Sequence, residues 1–112
     1  MTTHTESVDS EPTVLDVAES SRFEIRVDGS LAGFAQYRMK DPRLIVFTHT
    51  EIDDAYEGRG LGSTLIRAAL DTARGRGLGV RPDCPFVRAY VARHPDDYLD
   101  LVPEELRARL GL

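Results

Sequence analysis

Glu57-Gly58-Arg59-Gly60-Leu61-Gly62-Ser63 stands between a polar loop and a helical pattern. Glycine at every second position, after a strand and before a helix, leaves backbone N–H groups unpaired at the positive end of the helix. That arrangement binds anions, and the missing side chains let a pyrophosphate come close to the backbone. Two familiar phosphate loops do not fit. A Walker A loop needs Gly-Lys-[Ser/Thr], and this stretch has no lysine. A dinucleotide fingerprint needs GxGxxG opening a βαβ unit, whereas the spacing here is GxGxG, and the chain is too short for two mononucleotide halves. A glycine-rich helix entry without a ligand is the plain alternative.

Cys84 is the single cysteine of the chain. Pro85 favours the first helical position and so places Cys84 at or near a helix N-cap. A thiol there feels the positive helix end, which favours thiolate, while Asp83 opposes this if it lies close. The alternative is a buried structural cysteine. His49 and Glu51, two apart on an expected strand, share a face. Such a pair suits the removal of a proton from an ammonium substrate, with Glu51 orienting the imidazole or relaying through water. A solvated strand end is the alternative. His94, before Pro95, marks a helix end, His4 lies in the N-terminal segment, and Tyr90 and Tyr98 read as packing residues. No metal site is expected.

The elements that position these groups follow from periodicity. Phe23, Ile25 and Val27 alternate with Glu24, Arg26 and Asp28, the pattern of a half-buried strand. Asp28-Gly29-Ser30 is turn chemistry, and 31–39 is the returning strand of a hairpin. Asp41-Pro42 makes a second turn, and 44–52 is a third strand, apolar at its start and polar at its end. The period then becomes helical. Leu61, Leu65, Ala69 and Ala73 form one stripe flanked by Ile66 and Ala68, with Arg67 and Asp71 opposite at i,i+4 spacing. Gly75 and Gly77 stop this helix. A short strand over 78–81 follows, then a helix over 85–93 with Phe86, Val87, Tyr90 and Val91 inward, and a short helix over 103–110. The fold class is α/β (α+β, mixed sheet): an antiparallel meander followed by α-β-α.

The chain's 112 residues suffice for one domain. Residues 1–20 carry five acidic groups and no Lys or Arg, so 14 acidic and 14 basic residues remain for 21–112. We expect a mobile acidic tail over 1–20, with an edge strand around Val14 to Val17 as the alternative, and one domain over 21–112. The balanced domain has no basic stripe, so nucleic acid is not an expected partner. No apolar run is long enough to span a membrane, and the N-terminus lacks the pattern of a secretory signal. With one cysteine and no sign of export, the expected location is cytoplasmic.

The loop from Glu57 to Gly62 resembles the [Gln/Arg]-x-x-Gly-x-[Gly/Ala] signature of the GNAT acetyltransferases, with Glu57 standing where Gln or Arg is usual. His49-Thr50-Glu51, Tyr56 to Gly62, Cys84-Pro85-Phe86 and His94-Pro95 together resemble the short NATD-type branch of that family, over roughly residues 22–102. The resemblance implies a truncated GNAT-like acyl-CoA N-acyltransferase fold, with a splayed parallel strand pair, near Glu51 and over 78–81, that holds the pantetheine arm of acetyl-CoA. It further implies an N-acetyltransferase acting on the amine of a small molecule or protein. Gly58, Arg59, Gly60, Leu61, Gly62 and Ser63 would bind the cofactor, His49 would be the base and Glu51 its helper. Cys84 would be a nucleophile or the thiol that protonates departing CoA. The rival function is a CoA-binding sensor or interaction module without efficient transfer, because a domain this small leaves little chain for gripping a substrate. The sequence does not define an oligomeric state.

Overall fold

The computed structural model describes residues 11–112. Five strands lie in the order β1-β2-β3-β4-β5: β1 Thr13–Val17, β2 Arg22–Val27, β3 Ser30–Asp41, β4 Leu44–Ile52 and β5 Gly79–Pro82. The first four pair antiparallel, and β5 joins β4 in parallel after the crossover helix α1, Leu61–Gly75. Helices α2 (Pro85–Arg93), α3 (Pro95–Tyr98) and α4 (Glu104–Leu110) complete the chain. The fold is therefore a mixed α/β sheet, as the patterning indicates.

The β2–β3 hairpin turns on Asp28 and Gly29, both at positive φ, between the closing pair Val27 and Ser30. Two left-handed residues give the turn whose twist matches that of the strands. One sheet face is apolar. Phe23, Ile25, Ile45 and Phe47 pack there against Leu65, Ile66, Ala69 and Leu70 of α1 and Val87 and Val91 of α2. On the other face Glu24 is only 5% exposed. Its carboxylate accepts from Arg22 Nε at 2.9 Å and Arg26 Nη2 at 2.9 Å. Those arginines hold the Glu24 carboxyl below its ordinary value, Arg26 first and Arg22 second, against the opposing effect of burial.

Two details depart from the sequence reading, and a third follows its alternative. Residues 1–10 of the acidic segment lie outside the described residues, but Thr13–Val17 forms the edge strand β1 along β2. It is fastened by Asp16, which accepts from Tyr37 Oη at 2.7 Å and pairs with Arg76 of the α1 end at 2.7 Å. Burial, then the bond to Asp16, pushes the Tyr37 hydroxyl up to about 12. Asp71 accepts from Tyr98 Oη at 2.8 Å rather than meeting Arg67, and with the Arg74–Asp100 pair this ties the C-terminal segment to α1. Phe86 does not point inward; it is 41% exposed.

Candidate active site

The glycine loop stands at the start of α1. Gly58 and Gly60 have φ of 82° and 72°, the left-handed region where a side chain is strained, and Gly60 is the N-cap without a side-chain cap. Gly60 O accepts from Thr64 N, so the helix begins at once and the amides of Leu61, Gly62 and Ser63 precede its first internal bond. A groove of about 270 Å³ opens over this point, with Tyr56 and Phe86 among its walls and Gly58, Gly60, Gly62 and Ser63 on the loop side. A Cβ on Gly58 or Gly60 would meet nothing within 4 Å, so the loop surface is open. Leu61 also lines the groove; Arg59 does not, its guanidinium lying 5.5 Å from the Tyr56 ring centre.

Gly62 is glycine for another reason. A Cβ there would lie 2.5 Å from Phe86 Cζ. The first turns of α1 and α2 meet at this contact, which is why Phe86 leans over the loop instead of entering the core. Reading every aromatic of α2 as inward missed it.

The parallel strands run together from the pair Leu44–Gly79 to the pair Phe47–Pro82. Cys84 N then donates to Phe47 O at 2.9 Å, and the chain turns into α2 at Pro85. β4 continues to Ile52 after β5 ends at Pro82, and among the described residues no strand pairs with it on that edge, so the chain forks here between β4 and the turn into α2. Cys84 lies at this fork, 3% exposed and the N-cap of α2. Its Sγ is 3.4 Å from Thr50 Oγ1. Asp83 is engaged elsewhere, bonded through both carboxylate oxygens to Arg81.

His49 and Glu51 share a face and form a pair, Nε2 to Oε2 at 2.9 Å. That face is not the one bearing Cys84. Gln36 stands opposite His49 and Tyr37 opposite Phe47, which leaves Thr48 as an extra residue in β4. A bulge of this kind reverses the alternation that follows. Phe47 and Thr50 therefore face the helices, and His49 and Glu51 face the open side beside Phe34, whose ring centre is 6.1 Å from that of His49. The site is thus a fork with a thiol on one side and an imidazole–carboxylate pair on the other. Among the described residues no group of three metal-ligating side chains occurs, and no helix is long and apolar enough to cross a membrane.

A mixed sheet whose parallel strands part beside a glycine-led helix is the layout of one acyltransferase class. The family model of the GCN5-related N-acetyl-transferases matches residues 22–101, and the chain belongs to that family. Protein NATD1 of Mus musculus is 32% identical over 75 residues, covering 66% of this chain and 68% of that protein. NATD1 of Homo sapiens is also 32% identical over 75 residues, with 66% of each chain covered. Among solved structures, a GCN5-like protein from Staphylococcus aureus superposes with a TM-score of 0.60 at 24% identity, over 81% of this chain and 87% of that one. Ard1 from Thermoplasma volcanium gives a TM-score of 0.50 at 25% identity, over 55% of this chain and 43% of that one.

Proposed function

We propose that this chain binds acetyl-CoA and transfers the acetyl group to the amine of a small molecule or protein. The observation that carries the reading is the fork: β4 and β5 part directly beside the uncapped, glycine-led start of α1. The open loop fits a pyrophosphate, with the amides of Leu61, Gly62 and Ser63 as donors at the positive helix end. Acetyl-CoA would supply a thioester for a neutral amine to attack, the C–N bond forming as the C–S bond breaks, with CoA leaving as a thiolate that takes up the amine's remaining proton. His49, oriented by Glu51, accepts the proton of the acceptor ammonium on the open face. Cys84, with Thr50 beside its sulfur, stands at the fork as the thiol next to the reacting group. Gly58 and Gly60 keep the loop conformation, and Phe86 closes one wall of the groove. Arg59, free of the groove wall, supplies a cation that can swing toward a phosphate.

CoA titration followed by thermal melting tests this. A ligand selective for the folded chain at a hundred times its Kd adds about 2.7 kcal/mol of stability. Ser63→Glu, which suits a helix N-terminus but repels phosphate, should melt no lower than the parent and lose the CoA shift. An unchanged melting curve at millimolar CoA overturns the reading.

A second reading, a CoA-binding module without efficient transfer, is favoured by the exposure of the His49 and Glu51 side chains, 52% and 62%. Water at a general base weakens the electrostatics on which transfer depends. Following free thiol release from acetyl-CoA against a panel of amines separates the two: binding without amine-dependent release supports the module.

A further inference from the structure

A second cavity lies where the last helix meets the end of β5. It has a volume of about 290 Å³ and is lined by Arg81 and Asp83 of the β5 end and by Leu106, Arg109 and Leu110 of α4. That volume is at the lower end of the range of small-molecule pockets. Val80 is buried in the helix-side core, so its neighbour Arg81 projects to the open face, and Asp83 joins it through a two-pronged ion pair at 3.0 and 2.9 Å. His49 and Glu51 reach the same face from β4. The two walls of the fork therefore each carry a hydrogen-bonded polar pair on one side of the sheet.

The charges in this cavity do not cancel. Both carboxylate oxygens of Asp83 are taken by Arg81, and Arg88 donates to the backbone oxygens of Pro82 and Asp83 behind them. Arg109 is exposed and makes no ion pair among the described residues, and it lines the cavity together with the half-buried Leu106 and Leu110. One uncommitted guanidinium beside an apolar wall is suited to a carboxylate carried on an aliphatic arm. Register places the β5 wall of the cavity relative to His49. Arg81 lies beside Val46, three residues before His49 on the same strand, which is on the order of 10 Å at strand spacing.

We propose that this cavity is the anchoring site of the acceptor, and that the acceptor is an amine with a carboxylate at the far end of an aliphatic spacer. Arg109 holds the carboxylate, Leu106 and Leu110 cover the spacer, and the amine end reaches the His49 side of the fork. This rests on the transfer reading for the role of the amine, but binding of the carboxylate is measured without it.

The test is a titration of the whole chain, followed by NMR, with three probes: 7-aminoheptanoate, heptanoate and heptylamine. The two carboxylates should shift the Arg109 Nε–H signal and the methyl signals of Leu106 and Leu110, and heptylamine should not. Arg109→Gln should weaken 7-aminoheptanoate binding about tenfold, the loss expected for a charged hydrogen bond. Arg109→Lys should recover part of it, and CoA affinity should be the same in all three proteins. Equal binding of heptylamine and 7-aminoheptanoate, or unchanged affinity in Arg109→Gln, overturns the proposal. Failure of CoA to bind, with the carboxylate shifts intact, overturns the transfer reading alone.

Discussion

The two faces of the sheet are held by different physics. On the helix side, Phe23, Ile25, Phe47, Leu65, Leu70 and Val87 are packed out of water, and their stabilisation grows with the apolar area removed. On the open side the side chains pair with one another: Glu24 by charge with Arg22 and Arg26, Arg81 by charge with Asp83, and His49 by a hydrogen bond with Glu51. One extra residue, Thr48, decides which of the two environments the polar end of β4 enters. Apolar packing and polar pairing are thereby separated by the thickness of one sheet. Cys84 is the exception, a polarisable thiol buried on the apolar side.

This contrast can be broken in order of cost. Phe47→Ala, at the centre of the helix-side core, should lose about 3–5 kcal/mol in denaturant melts, through lost burial and the cavity left behind. A loss under about 1 kcal/mol would show that the core collapses around the gap. On the open face, Glu24→Gln should cost about 1.5–3 kcal/mol at neutral pH, the scale of a hydrogen bond to a charged group. Its acid dependence has a definite sign. The folded carboxyl titrates below its ordinary value, so its contribution is complete above that value and fades as pH falls through the folded one. Parent and Glu24→Gln should thus converge in stability in strong acid, and a gap that persists there would remove the ion pairs as its cause. The smallest stability effect belongs to His49→Gln, within about 0.5 kcal/mol for an exposed side chain. Its amine acetylation rate should nevertheless fall about 10²–10⁴-fold, the range for a lost general base. A rate within a few-fold of the parent would leave the thiol side to act by itself.

Period made most of the fold legible. The strand over 44–52 and the helix over 85–93 were readable to the residue because a two-residue and a 3.6-residue repeat meet there at strong punctuation, Ile52-Asp53 and Cys84-Pro85. The glycine loop was readable because positive φ leaves glycine as its signature. What sequence did not display depends on contacts between distant residues. β1 is fixed by Asp16 through Tyr37 and Arg76, 21 and 60 residues away. The lean of Phe86 depends on Gly62, in another helix. The bulge at Thr48 leaves no compositional mark, so the sharing of a face by His49 and Glu51 was legible and its relation to Cys84 was not. The Arg81–Asp83 pair spans the end of β5, and the alternation that turns Arg81 to the open face could have been read from Val80 and Pro82.

The parallel pair also sets an order in time. Each antiparallel hairpin joins strands that follow one another along the chain, whereas Leu44 meets Gly79, 35 positions further on, only after the segment between them has closed. Distant pairings of this sort are slow to form, because the entropy of closing the loop is lost before contacts offset it. The meander is therefore expected to assemble before β5 docks, and the fork that brings Cys84 to Phe47 is completed in the closing phase of folding. Cys84 reports on this directly: pulses of an alkylating reagent during refolding should still label the thiol after the hairpins have gained their amide protection.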